Sequence, residues 1–235
     1  MATSTNDDQK NSLEEIEEDS PSILFAVMVG SVSVVGGFEL VHWLGAKAKP
    51  TLAPWLIARG TGLALVIITS LLVAVGLWMV HPKRNKRKSF PHIITLNSAH
   101  KSLAGVGSVL LFLHVSSIIA DSFAKVGLLG AFVPLKSAYR PIPVALGTVA
   151  LYLCLAVGFT AWLKVRTKLF NWKMVHRFAI AAYCLILVHG ITAGSDTVLV
   201  SGIYVASAIV ITILATTRYL FDHKEHQKQA ATAKN

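Results

Sequence analysis

Six apolar stretches, each long enough to cross a bilayer, constrain this chain more than any other feature. A membrane-spanning helix needs about 20 apolar residues to traverse a hydrocarbon core roughly 30 Å thick. Residues 22–44, 56–80, 93–119, 143–163, 172–191 and 197–220 qualify. In lipid the backbone must satisfy its own hydrogen bonds within each segment, so runs of this kind close into helices. The expected fold is an all-α membrane protein, a six-transmembrane helix bundle over residues 22–220. Only 14% of the residues are charged, against roughly a quarter in a soluble domain.

The charges lie outside these stretches and alternate in sign bias. Seven of the twelve acids precede residue 20. They sit in a polar head, residues 1–21, that has no apolar core of a signal peptide and reads as a disordered acidic tail. The loop HPKRNKRKSF carries five Lys/Arg in positions 83–88, and LKVRTKLFNWK and RYLFDHKEHQK are basic too. The connections near residues 47–54, 121–143 and 194–196 are less basic or neutral. The positive-inside rule then puts both termini in the cytoplasm, with a polar tail at 221–235, in a plasma (inner) membrane. The net charge of +10 is assigned to topology and anionic lipid rather than to nucleic acid, although residues 83–88 also suit an acidic partner. Cys154 and Cys184 fall inside apolar stretches and read as small packing residues, not as a disulfide or metal pair.

Histidine is costly in hydrocarbon, yet the third span holds His100 and His114 and the fifth holds His176 and His189. With this orientation the two spans run parallel. His100 is then level with His176 on the cytoplasmic side, and His114 with His189 on the outer side. At 1.5 Å per residue the steps of fourteen and thirteen residues are about 21 and 20 Å, so both levels fit within one bilayer core. A single membrane histidine is more often a packing or proton-relay residue. Four at matched depths suit two six-coordinate haems, each iron taking one nitrogen from each helix. Zinc would need three or four ligands on one ion, and no Cys, Asp or Glu joins either level.

The helical phase fits one span better than the other. Fourteen steps bring His114 to within about 40° of His100, whereas thirteen leave His189 about 140° from His176. The fifth span must therefore be bent, tightened or bulged, or the two sites differ in azimuth. Ala104, Gly105, Gly107 and Ser108 on one span and Ala179, Ala181 and Ala182 on the other are small. They leave room for a planar macrocycle or else mark close helix packing. Phe112, Phe178 and Tyr183 are expected in the core.

Several polar residues accompany the histidines. Arg59 opens the second span near the outer level, where it would pair with a haem propionate or snorkel to the interface. Lys101 and Arg177 directly follow His100 and His176 and would either neutralise inner propionates or serve as positive-inside charges. Glu39 has Arg59 and Arg140 as candidate partners, and Tyr139 and Asp196 are candidates for the outer mouth. His42, His81, His92, His223 and His226 do not fit the paired pattern.

Taken together, these residues resemble the ferric reductase-like transmembrane domain family, shared by NADPH oxidases, metalloreductases and stand-alone bacterial membrane proteins. The two spacings look like the family's two bis-histidine sites. IARGTGLAL, VPLKSAYRPIPVALGTVALYL and NWKMVHRFAIAAYCLILVHGITAGSDT are similar to the bacterial stand-alone members. The resemblance implies two haem b groups, the inner on His100 and His176 and the outer on His114 and His189. Electrons would pass from a cytoplasmic reductant, a separate flavoprotein, to an extracytoplasmic acceptor such as ferric iron, oxygen or a redox domain. Unlike the oxidases, the chain is expected to carry no internal flavin or NADPH site, since no G-x-G-x-x-G follows a strand-like run in it. The chain would then be the haem-bearing membrane component of an oxidoreductase. Two alternatives stand beside this reading: a haem subunit fed by the quinol pool that serves an exported reductase, and a haem-free proton- or ion-conducting protein.

Overall fold

A computed structural model of the chain describes residues 52–81, 93–163, 171–194 and 197–232. Its elements are α1 (Ala53–Met79), α2 (Ile93–Ala120), α3 (Gly127–Phe132), α4 (Pro141–Leu163), α5 (Trp172–His176), α6 (Phe178–Ala193) and α7 (Thr197–Thr232). Among the described residues there are no strands. Five segments are long and apolar enough to cross a membrane: α1, α2, α4, the α5–α6 rod Trp172–Ala193, and Val200–Leu220 within α7. The shortest, 21 residues, spans about 32 Å as a helix. The chain is a multi-pass, all-α membrane protein. The stretch 22–44, the acidic head and the basic run 83–88 lie outside the described residues.

Local chemistry explains why these stretches form helices without amphipathic faces. Leu71, Leu155, Phe159, Val205 and Ile213 are exposed on the outside of the bundle, as expected of helices whose solvent is hydrocarbon. Hydroxyls within the spans donate to carbonyls one turn back: Thr61 to Ile57 at 2.7 Å, Thr69 to Leu65 at 2.6 Å, Thr160 to Ala156 at 2.8 Å and Thr192 to Val188 at 2.6 Å. A polar side chain satisfied in this way needs no water. Pro54 sits in the first turn of α1, where its missing N–H costs no hydrogen bond.

The helices pack as two antiparallel hairpins, α1 with α2 and α4 with α6, joined where α1 meets α6. α7 lies against both α1 and α6. Leu77, Tyr183 and Ile211 form the shared core of these three helices, and the Tyr183 hydroxyl is 3.1 Å from Ser70 Oγ. Core packing thus holds for Tyr183, which is 2% exposed, but not for Phe112 and Phe178, which are 71% and 51% exposed. Apolar residues on every face of a membrane helix leave no periodic signal to tell core from surface. Both cysteines are free thiols, and Cys184 is exposed.

The connection from α2 to α4 folds back over one end of the bundle. Ala124, Val126 and Ala131 are buried against Trp55, Ile118, Tyr139 and Val144. The buried Asp121 accepts a hydrogen bond from the Ala124 N–H at 2.6 Å, and Thr148 donates to the Ala131 carbonyl at 3.1 Å. Lys125, Leu135 and Arg140 take left-handed backbone conformations, with φ of 56°, 68° and 39°. Non-glycine residues hold such angles only where surrounding contacts over-determine them. Here the Arg140 guanidinium donates to the carbonyls of Thr192 at 2.7 Å and Gly194 at 3.3 Å, tying the connection to the end of α6. At the other extreme of the chain, α7 continues as one helix beyond its span through residue 232, so the residues expected as a polar tail are helical up to that point.

Candidate functional site

α2 and the α5–α6 rod run parallel, and their histidines meet in two pairs. The ring centroids of His100 and His176 are 6.1 Å apart with planes at 60°. Those of His114 and His189 are 6.3 Å apart with planes at 85°. Along α2 the two pairs are separated by fourteen residues, about 21 Å of helix. The thirteen-residue step on the opposite rod is accommodated by a break: α5 ends at His176, Arg177 interrupts the helix, and α6 begins at Phe178. The Ile180 N–H reaches the Arg177 carbonyl at 3.4 Å, a tightened i→i+3 turn. Tightening at this point reduces the azimuthal mismatch that a straight helix would impose, a single turn of this kind over-rotating the chain by about 60°.

Each ring of the second pair is tethered to a helix other than its own. His114 Nδ1 lies 2.8 Å from the Ala58 carbonyl of α1, and His189 Nδ1 lies 2.8 Å from the Pro143 carbonyl of α4. A carbonyl only accepts, so Nδ1 carries the proton in both rings and Nε2 holds the free lone pair. This is the tautomer of a metal-ligating histidine fixed by an outer hydrogen bond. In the first pair, His176 has the Trp172 ring edge-on at 5.3 Å, one turn earlier on α5.

The spacing of the rings can be compared with that of a shared metal. With a metal–imidazole bond of about 2.0–2.1 Å and a nitrogen roughly 1.2 Å from its ring centroid, two axial imidazoles have centroids about 6.4 Å apart. Both observed pairs come within a few tenths of an ångström of this value. Among the described residues no three His, Cys, Asp or Glu side chains gather at one point, so tetrahedral zinc lacks a ligand set there. The centroid separations would accommodate one bis-imidazole metal centre in each pair.

The remaining candidates fall around these pairs. Arg59 follows Ala58, so it lies at the His114 end, with its guanidinium 5.4 Å from the Trp55 ring centroid. Lys101 and Arg177 are exposed beside His100 and His176. The Tyr139 hydroxyl donates to the Ala193 carbonyl at 3.2 Å, one turn beyond His189. Gly107 meets Ile68 of α1, which makes it a helix-packing residue. His81 is buried, with Nε2 3.2 Å from Thr217 Oγ1 of α7. Glu39 and Asp196 lie outside the described residues. Sequence reasoning missed the contribution of α1 and α4, which supply the tethering carbonyls. One signal was present: Gly62 and Gly76 repeat the fourteen-residue step of His100 and His114. No protein-family model, curated protein or solved structure matches the chain.

Proposed function

We propose that the chain carries electrons across a plasma (inner) membrane through two b-type haems, as the ferric reductase-like transmembrane proteins it resembles would. The observation that carries this reading is the pair of imidazole pairs, each at a spacing that suits two ligands of one metal and about 21 Å apart along α2, within one bilayer core. His100 and His176 would hold the inner haem, and His114 and His189 the outer. When bound, the two haems supply the one-electron chemistry between a cytoplasmic reductant and an extracytoplasmic acceptor.

The chain's own residues orient and insulate these sites. The Ala58 and Pro143 carbonyls hold the outer imidazoles in the ligating tautomer. Arg59 supplies positive charge at the outer end, suited to a propionate. Lys101 and Arg177 do the same at the cytoplasmic end. The connection from α2 to α4 covers the outer end with buried apolar side chains. In this topology six spans place both termini in the cytoplasm, and the basic run 83–88 faces the cytoplasmic lipid surface. A separate flavoprotein is the donor that this reading calls for.

Proteoliposomes test the reading. With ferricyanide trapped inside and dithionite outside, haem-loaded protein should consume the trapped oxidant, and His114→Ala should not. Equal rates with and without the haem-loaded protein would contradict transmembrane transfer. Acceleration by a quinol analogue alone, with a flavoprotein ineffective, would reassign the donor to the quinol pool.

A further inference from the structure

Three of the four paired imidazoles lie against a glycine on a neighbouring helix. A Cβ at Gly147 of α4 would stand 2.7 Å from both Cε1 and Nδ1 of His189 and 3.1 Å from its Cγ. A Cβ at Gly62 of α1 would be 3.0 Å from Cε1 and 3.2 Å from Nδ1 of His114, and one at Gly76 would be 3.3 Å from Cε1 of His100. By contrast Gly60 and Gly158, on the same two helices, have nothing within 4 Å. Gly62, Gly76 and Gly147 all sit inside helices with ordinary backbone angles. Helix geometry does not ask for glycine there, and an interior glycine weakens a helix relative to alanine. The close approach of the ring is what excludes a side chain.

The glycines and the tethering carbonyls share one geometry. Gly62 comes four residues after Ala58, and Gly147 four residues after Pro143. In each hairpin the imidazole therefore lies across one helical turn. Its Nδ1–H meets the carbonyl that opens the turn, and its ring edge occupies the space where the closing residue would carry a Cβ. We propose that Gly62 and Gly147 are positioning residues for the second pair of ligands. Each forms, with the carbonyl one turn before it, a seat that holds the imidazole as the Nδ1–H tautomer with Nε2 available to a metal. Gly76 clears the same space for His100. The seats act through the ligands, whose basicity an Nδ1–H bond to a carbonyl raises. This inference rests on the haem reading above.

The test is haem content and low-temperature electron paramagnetic resonance of the purified full chain, with His100→Ala and His114→Ala assigning the two signals. Gly147→Ala should lower by half or more the signal that His114→Ala removes, and leave the signal that His100→Ala removes unchanged. Gly158→Ala, on the same helix, should match wild type. Gly62→Ala, whose contacts yield with a shift of tenths of an ångström, should keep its haem and change the g-values of the same signal only. Wild-type signals in both Gly62→Ala and Gly147→Ala, or equal loss of both signals in each, would overturn the seats. If Gly147→Ala does not fold, Gly62→Ala alone decides between these outcomes. A wild-type protein that takes up no haem would instead overturn the haem reading.

Discussion

His114 and His189 face each other across 6.3 Å with their ring planes 85° apart, each tethered through Nδ1 to a carbonyl of a different helix. Because the two tethers come from α1 and α4, neither ring can rotate to align with the other without losing its hydrogen bond. His100 and His176 meet at 60°. With a haem iron held between each pair, imidazole planes that are near-perpendicular would leave the two d-orbitals able to π-bond with the rings closely matched in energy, more so for His114 and His189 than for His100 and His176. Oxidised protein should therefore give two distinct low-spin resonance signals, the more anisotropic one belonging to the His114–His189 site. Two signals of equal anisotropy would show that the tethers do not control ring orientation.

Arg59 neighbours the carbonyl that holds His114, so its charge should act on that site and not on the other. Removing a nearby cation favours the oxidised, more positive form of the iron. Arg59→Gln should lower the midpoint potential of the His114–His189 haem by about 40 mV, the one-electron equivalent of about 1 kcal/mol. Redox titration followed at the two resolved signals checks this, and an equal shift of both would assign Arg59 to general topology.

Tyr183 is buried at mid-depth between the pairs and bonds to Ser70 on the helix opposite. Interhelical hydrogen bonds in membranes contribute about 0.6 kcal/mol each, and at most about 1.7 kcal/mol. Tyr183→Phe should lower the stability of the folded protein by that amount in a denaturation series while both haem signals persist. Loss of either signal would give the phenol a role at a ligand site rather than in packing.

How far the sequence carried depended on the kind of signal. Length and apolarity marked the spans closely: α1 covers Ala53–Met79 where residues 56–80 were expected, and α4 starts two residues before the expected 143. The histidine pairing was legible because depth in a bilayer is set by residue count, and counts on parallel helices can be compared directly. The break at Arg177 was only half legible. The thirteen-residue step demanded an irregularity, but nothing in VHRFAIAAYCLILVH says where the turn tightens. The carbonyls of Ala58 and Pro143 were invisible, because every residue has one and only packing decides which is used. Phe112 and Phe178 were misplaced because a helix that is apolar on all sides does not advertise its inner face. α3 lay hidden in residues 121–143, read only as a connection of low charge.

The pairing of the four histidines is tested most directly by haem counting in the purified protein, combined with reduced-minus-oxidised spectra of single variants. Wild type should hold two low-spin b-type haems per chain. His114→Ala and His189→Ala should each remove one and the same haem, and His100→Ala and His176→Ala the other. Loss of the same haem in His114→Ala and His176→Ala, or a protein that stays colourless when expressed with ample haem, would contradict the two-pair arrangement.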